Sequence, residues 1–293
     1  YDNGTTLGFD FTSELPNGMV AYARLEEDGF DAADDGQTPN VTDEAYFGIE
    51  GGFGEVQFGR NDSIYDDMIS DHFDYQEAFA PTAYGDSRER AIQFYSSSMN
   101  GFDVALEAGI NGDADENLTY NNGKDGNGVD GDSVSLAAAV SYTLDAVTVT
   151  GAVDQRGNDT GSLLSSIYDV PNPNSYYADN SIYGLAASVD LNPLVLSAGY
   201  QSTEESVLNE SIGIDIMSLD AQYTINSFKL YGTYNAVDVD DIVTSSGLED
   251  DFTELSLGAK YTIGQIYGYV ESISYDREND RDDAVAVGGV YLF

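Results

Sequence analysis

The chain has 293 residues, with 53 acidic side chains against 10 basic ones and a formal net charge of −43. A charge of this sign repels phosphate backbones and excludes nucleic acid as a partner, and the absence of cysteine excludes a disulfide framework and thiolate metal sites. No apolar run approaches the roughly 18–20 residues of a membrane-spanning helix, while 41% hydrophobic and 12% aromatic residues mark an ordered chain.

In chain order, the dominant signal is a two-residue alternation. Fifteen strands are predicted, starting near Thr6, Met19, Ala45, Glu55, Arg90, Phe102, Val134, Val147, Ser181, Leu194, Ile214, Phe228, Leu255, Ile266 and Asp282. In Val134–Leu144, Val134, Leu136, Ala138, Val140, Tyr142 and Leu144 share one face, with Ser135, Ala137, Ala139, Ser141 and Thr143 on the other. Only a β-strand sorts side chains this way. The same sorting recurs in Tyr183–Leu191, Met217–Ile225 and Leu255–Ile263.

The connections alternate in length. Short ones carry turn chemistry: Pro16-Asn17-Gly18, Gly51–Gly54, Asn100-Gly101, Asp145-Ala146, Asn192-Pro193, Asn226-Ser227 and Gly264-Gln265. Long ones are acidic and rich in Gly and Asn: Gly29–Glu44, Ser63–Glu89, Asn111–Ser133, Gly157–Asn180, Thr203–Gly213, Val237–Thr253 and Tyr275–Arg281. This rhythm predicts an all-β, antiparallel up-and-down meander with its long loops at one end. Single-chain bacterial barrels have an even strand count, so a sixteenth strand is expected upstream of Tyr1.

A soluble sandwich also alternates. Three features favour a transmembrane β-barrel. The polar face is small and often uncharged, most acids sit in the long loops, and tyrosines recur near the ends of the apolar stripes, at Tyr142, Tyr200, Tyr223, Tyr234, Tyr261 and Tyr291. Outer-membrane barrels place such aromatics at the lipid–water interfaces, and closure satisfies every backbone group inside lipid. The last strand, DDAVAVGGVYLF, ends on Phe293 with Tyr291 two residues earlier.

Five segments carry a family resemblance: TTLGFDF, LPNGMVAYARLEED, AYFGIEGGFGEVQFGRND, the SSSMNGF turn and DDAVAVGGVYLF. In this order and spacing the chain resembles the trimeric general-diffusion porins of the Gram-negative outer membrane. The resemblance covers nearly the whole chain. It implies one barrel domain over residues 1–293, sixteen strands with the first absent here, and residues 63–89 folded into the lumen as a constriction loop. It also implies a homotrimer in outer-membrane lipid and lipopolysaccharide, passing small hydrophilic solutes and ions without cofactor or catalysis.

The loop Ser63–Glu89 carries Asp66, Asp67, Asp71, Asp74, Glu77 and Asp86. In the family, acids on this loop face basic residues on the wall. Glu77, shortly before Thr82-Ala83-Tyr84, falls where such porins carry a constriction glutamate, and Asp74 lies about one helical turn earlier. For the opposing wall, Arg60 matches the family's GRN-type arginine. Arg24 points inward by parity with Glu26, and Arg88 and Arg90 lie where the loop rejoins the wall. Arg156, Lys229 and Lys260 face the lumen by parity. The chain departs from the family at Thr6, where an arginine is common. Lumen acids by parity are Asp10, Glu26, Glu50, Asp103, Glu107, Asp154, Asp190 and Asp220. Charged rings at a constriction set ion preference, so cation selectivity is expected.

The charge excess exceeds what a pore needs and points to a saline habitat. His72, the single histidine, reads as a loop residue able to change charge below about pH 6.5. Lys124–Ser133 fails the EF-hand pattern, since, counted from Asp125, its fifth and sixth positions are Val129 and Asp130. Weak divalent binding by loop acids stays open. Rival readings are a sugar-specific channel, a barrel-embedded hydrolase and a surface adhesin.

Overall fold

The computed structural model describes residues 6–28, 41–73, 75–79, 82–84, 87–110, 134–155, 181–207, 210–240, 251–276 and 283–291. Fifteen strands form one sheet: β1 (Leu7–Glu14), β2 (Val20–Asp28), β3 (Val41–Gly51), β4 (Gly54–Asp62), β5 (Ser87–Ser96), β6 (Phe102–Ile110), β7 (Val134–Leu144), β8 (Val147–Gln155), β9 (Ser181–Asp190), β10 (Leu194–Val207), β11 (Glu210–Ile225), β12 (Phe228–Val239), β13 (Asp251–Ile263), β14 (Ile266–Asp276) and β15 (Ala284–Tyr291). Each pairs antiparallel with the next, and among the described residues β1 and β15 are the two edges.

The side-chain sorting is the reverse of a soluble sandwich. On β7, Leu136 and Val140 are about half exposed, while Ser135, Ala137, Ala139 and Ser141 are buried. On β12, Leu230 and Tyr234 face out and Tyr231, Thr233 and Asn235 face in. Large apolar side chains therefore form the outer surface around the sheet, the face a barrel presents to lipid. No helix among the described residues is long and apolar enough to cross a membrane; the strands make the crossing.

The short connections are built as expected. Asn100 and Gly101 both adopt left-handed φ, 57° and 87°, the geometry a two-residue hairpin turn needs. On the long-loop side, strands run further than hydropathy predicts. β3 starts at Val41, β11 at Glu210 and β13 at Asp251. The stretch expected as a long loop, Thr203–Gly213, is mostly ladder, with Val207 paired to Glu210. Backbone pairing needs no apolar side chain, so polar strand ends escape a hydropathy reading.

One element is absent from the sequence-based expectation. After β4 the chain forms a short helix, α1 (Ile64–Met68), then a 3₁₀ turn over Ser70–His72. Ser63 caps α1, its hydroxyl accepting from the Asp66 amide at 3.1 Å. Five residues hold too little periodicity to announce a helix.

The buried apolar core lies inside the curve of the sheet. Tyr65, Ile69, Phe73 and Tyr84 pack on inward residues of β9 and β11–β13, including Ile182, Ile214, Ile216, Val237 and Phe252. Ile64 packs on Ala105, Ala137 and Ala139. Each large side chain so buried contributes roughly 1.5–3 kcal/mol. The same segment touches β5 through Tyr95 and β14 through Glu271. One segment can reach ten successive strands only if the sheet curls around it, so its described residues lie inside the curve of the sheet.

A candidate constriction in the barrel lumen

Small inner-wall residues shape the loop's seat. Ala137 and Ala139 leave room for α1 against β6–β8. A Cβ on Gly184 would fall 2.6 Å from the Tyr65 hydroxyl, and one on Gly199 would fall 2.3 Å from the Phe73 ring. Both glycines are needed for close approach rather than for backbone angles.

Polar wall residues then hold the loop backbone. Glu107 accepts from the Ile64 amide at 3.0 Å and from Gln93 Nε2 at 2.9 Å. Gln201 Oε1 accepts from the Tyr84 amide at 3.2 Å and the Tyr65 hydroxyl at 3.3 Å. Glu271 takes two consecutive amides, Glu77 at 2.7 Å and Ala78 at 2.8 Å, plus the Tyr231 hydroxyl at 2.5 Å. Glu254 takes the Thr82 amide at 2.8 Å and its hydroxyl at 2.7 Å, and Asn235 donates to the Thr82 carbonyl at 2.8 Å. Gln76 donates to Thr233 at 2.9 Å. Glu107, Glu254 and Glu271 are at most 4% exposed. Buried polar groups persist where they are bonded in this way.

The loop's own acids fall into two groups. Glu77 forms an ion pair with Lys260 and accepts from the Tyr267 hydroxyl at 2.7 Å. Asp66 and Asp67 lie half-buried on α1, and Asp67 accepts from the Tyr95 hydroxyl. Burial, then the charges of Asp62 and Asp71, pushes the Asp66 carboxyl up to about 8. Burial also pushes Asp67 up to about 7, with Asp71 and Asp62 adding to the rise and the Tyr95 bond opposing it. Asp71 is exposed. His72 is half-buried, and that burial lowers its pKa below the usual value. Asp74 and Asp86 lie outside the described residues.

On the wall, Arg24 stands among three carboxylates: Asp10 on β1 at 3.5 Å, Glu26 on β2 and Glu44 on β3. Arg60 is half-buried at the end of β4, opposite Ala45 and just after Gly59, whose φ is 140°. Arg90 is exposed on β5. Arg88 pairs through its backbone with Asn61, and its side chain lies outside the described set, as does Arg156. Glu50 is exposed at the foot of β3, opposite Glu55. Glu55 accepts from the Tyr22 hydroxyl and from Gln57 Nε2 at 2.6 Å. The segment Lys124–Ser133 lies outside the described residues, and among those described no acidic group has metal-site geometry.

Sequence reasoning did not single out Glu44, Glu254, Glu271, Gln201 or Tyr267. Parity alone could have placed Glu254 and Glu271 inward, since they share faces with Ser256 and Tyr269. Their role as loop anchors required knowing where the loop lies.

A strand-built barrel with an apolar exterior and a charged interior defines an outer-membrane channel. The sequence matches the Gram-negative porin family profile over residues 1–264 and 168–293. The chain belongs to that family. It is an outer-membrane porin and not an enzyme. It is 27% identical over 324 residues to a protein named monosaccharide porin from a Halomonas species, covering 100% of this chain and 84% of the relative. The same figures apply to the major outer membrane protein of Halomonas elongata. Among solved structures, Salmonella typhi OmpF in complex with daunomycin superposes with a TM-score of 0.72 at 16% identity, covering 99% of this chain and 90% of that one. The anion-selective porin of Comamonas acidovorans gives 0.67 at 17% identity, covering 98% and 84%. Likeness at such identity speaks to fold alone.

Proposed function

We propose that this porin is a passive, water-filled channel that favours cations, with residues 63–89 setting its narrowest section. The observation that carries this reading is the state of the wall cations. Arg24 is surrounded by Asp10, Glu26 and Glu44, and Lys260 is engaged by Glu77. At these two cations the carboxylates in contact match or outnumber the positive charge. Asp71 adds negative charge from the loop, joined by Asp66 and Asp67 as pH rises past their raised pKa values of about 8 and 7, and Asp74, Glu77 and Asp86 belong to the same proposed acidic set. Arg60, Arg88 and Arg90 complete the proposed basic side, with Glu50 a further wall acid. In a low-dielectric barrel such fixed charge is weakly screened and selects counter-ions. Reversal potentials across planar bilayers in a KCl gradient test this. The sign for potassium over chloride is expected, and a chloride preference overturns it.

Residues 1–293 are proposed to act as one barrel domain, assembled as a homotrimer in outer-membrane lipid and lipopolysaccharide. Support comes from a similar fold: a Vibrio cholerae OmpT structure described as a trimer form covers 99% of this chain with a TM-score of 0.62. Cross-linking in mild detergent should give a three-chain species.

A second reading, a channel with preference for sugars, is favoured by the name of the Halomonas relative. Liposome swelling separates the two. Rates ordered by solute size support the general pore, and rates ordered by sugar identity support the second reading.

A further inference from the structure

The lumen wall carries a repeated device. On three strand pairs a tyrosine reaches over the glycine directly opposite it: Tyr22 and Gly48, Tyr231 and Gly258, Tyr269 and Gly288. A Cβ on these glycines would fall 2.1, 2.2 and 2.3 Å from atoms of the facing tyrosine. Each tyrosine side chain therefore reaches across to its neighbour strand and occupies the space above the glycine. The loop covers Tyr231, which is 4% exposed and bonded to Glu271. Tyr269 is only half-buried.

Tyr269 has unusual neighbours for so acidic a chain. Across β12, β13, β14 and β15 one row reads Lys229, Lys260, Tyr269, Gly288. Two residues along β14, Tyr267 carries the Lys260 ammonium 4.4 Å from its ring centre and donates to Glu77. The Lys229 ammonium lies 4.9 Å from the ring centre of Tyr75 on the loop. The two ammonium groups are offset by Glu77, bonded to Lys260, and by Asp220, which acts on Lys229. Glu271, two residues along β14 on the same face, adds a further carboxylate. The place thus combines an inward aromatic side chain, ammonium donors, a carboxylate acceptor and no excess of positive charge.

We propose that Tyr269, with Tyr267, Lys229 and the Lys260–Glu77 pair, forms a binding subsite for a neutral, pyranose-sized sugar. The apolar C–H face of the sugar ring stacks on Tyr269. Its hydroxyls accept from the two ammonium groups and donate to Glu77. A few convergent polar groups beside an apolar surface are the usual make-up of a small-molecule site. An anionic ligand fits less well, because the ammonium charges are already balanced and the surrounding lumen is acidic. This proposal rests on the lumen being an open aqueous path.

The test is single-channel current in KCl with glucose added. The wild-type channel should show saturable, glucose-dependent interruptions. Tyr269→Ala should raise the half-blocking concentration by roughly tenfold or more, while Tyr269→Phe should hold it within about twofold. Lys229→Met, which leaves the ring in place, should also weaken the block. Block of equal strength in the wild type and Tyr269→Ala overturns the proposal. So does block by glucuronate with none by glucose. Salt current persisting in a channel that glucose never blocks rejects the subsite and leaves the pore intact, whereas absence of any salt current rejects the pore itself.

Discussion

Arg24 shows how a residue that looks electropositive in sequence can contribute little positive field. Its guanidinium is shared among Asp10, Glu26 and Glu44. Arg24→Gln should therefore increase the preference for potassium over chloride, read as a larger reversal potential. A shift toward chloride would contradict the charge assignment. Asp66 and Asp67 should give the channel a pH response. Their carboxyls titrate near 8 and 7 instead of near the usual 4, because burial and neighbouring acids disfavour the charged form. Cation preference should fall as pH drops from about 8.5 to 6, and Asp66→Asn with Asp67→Asn should flatten that dependence. The stability sign follows from the same shifts. A carboxyl raised on folding costs stability when ionised, so this cost is full above the folded pKa and is relieved as pH falls through it toward the unfolded value.

At the scale of elements, the barrel was legible because parity is a strict property of strands. Val134–Leu144 and Leu255–Ile263 sort their side chains in the structure as they do in sequence. The loop was legible only as a length and a set of acids. Nothing local tells that Ile212, Ile214 and Ile216 face inward to receive it, or that Glu254 and Glu271 bind its amides. Those are long-range facts of topology. They make two predictions. Glu271→Gln keeps one acceptor for two loop amides and leaves a buried amide unmatched, at a cost of about 1–3 kcal/mol. Open-channel noise should rise while folded barrel is still recovered; unchanged noise would mean the clamp does not hold the constriction. Gly199→Val puts side-chain atoms where the Phe73 ring lies, so the loop must shift and single-channel conductance must change. Identical conductance would show that the Phe73 seat is not part of the narrow section.

At the scale of the whole molecule, two fields compete. The outer apolar surface asks for lipid, and a net charge of −43 repels itself unless salt screens it. The purified porin in detergent should lose thermal stability on dilution from molar to millimolar salt. Equal melting temperatures would remove the case for a saline adaptation.

The central claim is that one stripe of every strand touches lipid and the other touches water. The chain has no cysteine, so each introduced thiol is a unique reporter. On β14, Tyr267 and Tyr269 face the lumen, while Ile266 and Val270 are exposed on the outer surface. Single cysteines at these four positions, in channels carrying current across a bilayer, can be challenged with a charged thiol reagent in the aqueous phase. Positions 267 and 269 should react and reduce the current, and positions 266 and 270 should stay silent until a lipid-dissolved reagent is used. Reaction of 266 and 270 from water, with 267 and 269 inert, would contradict the account.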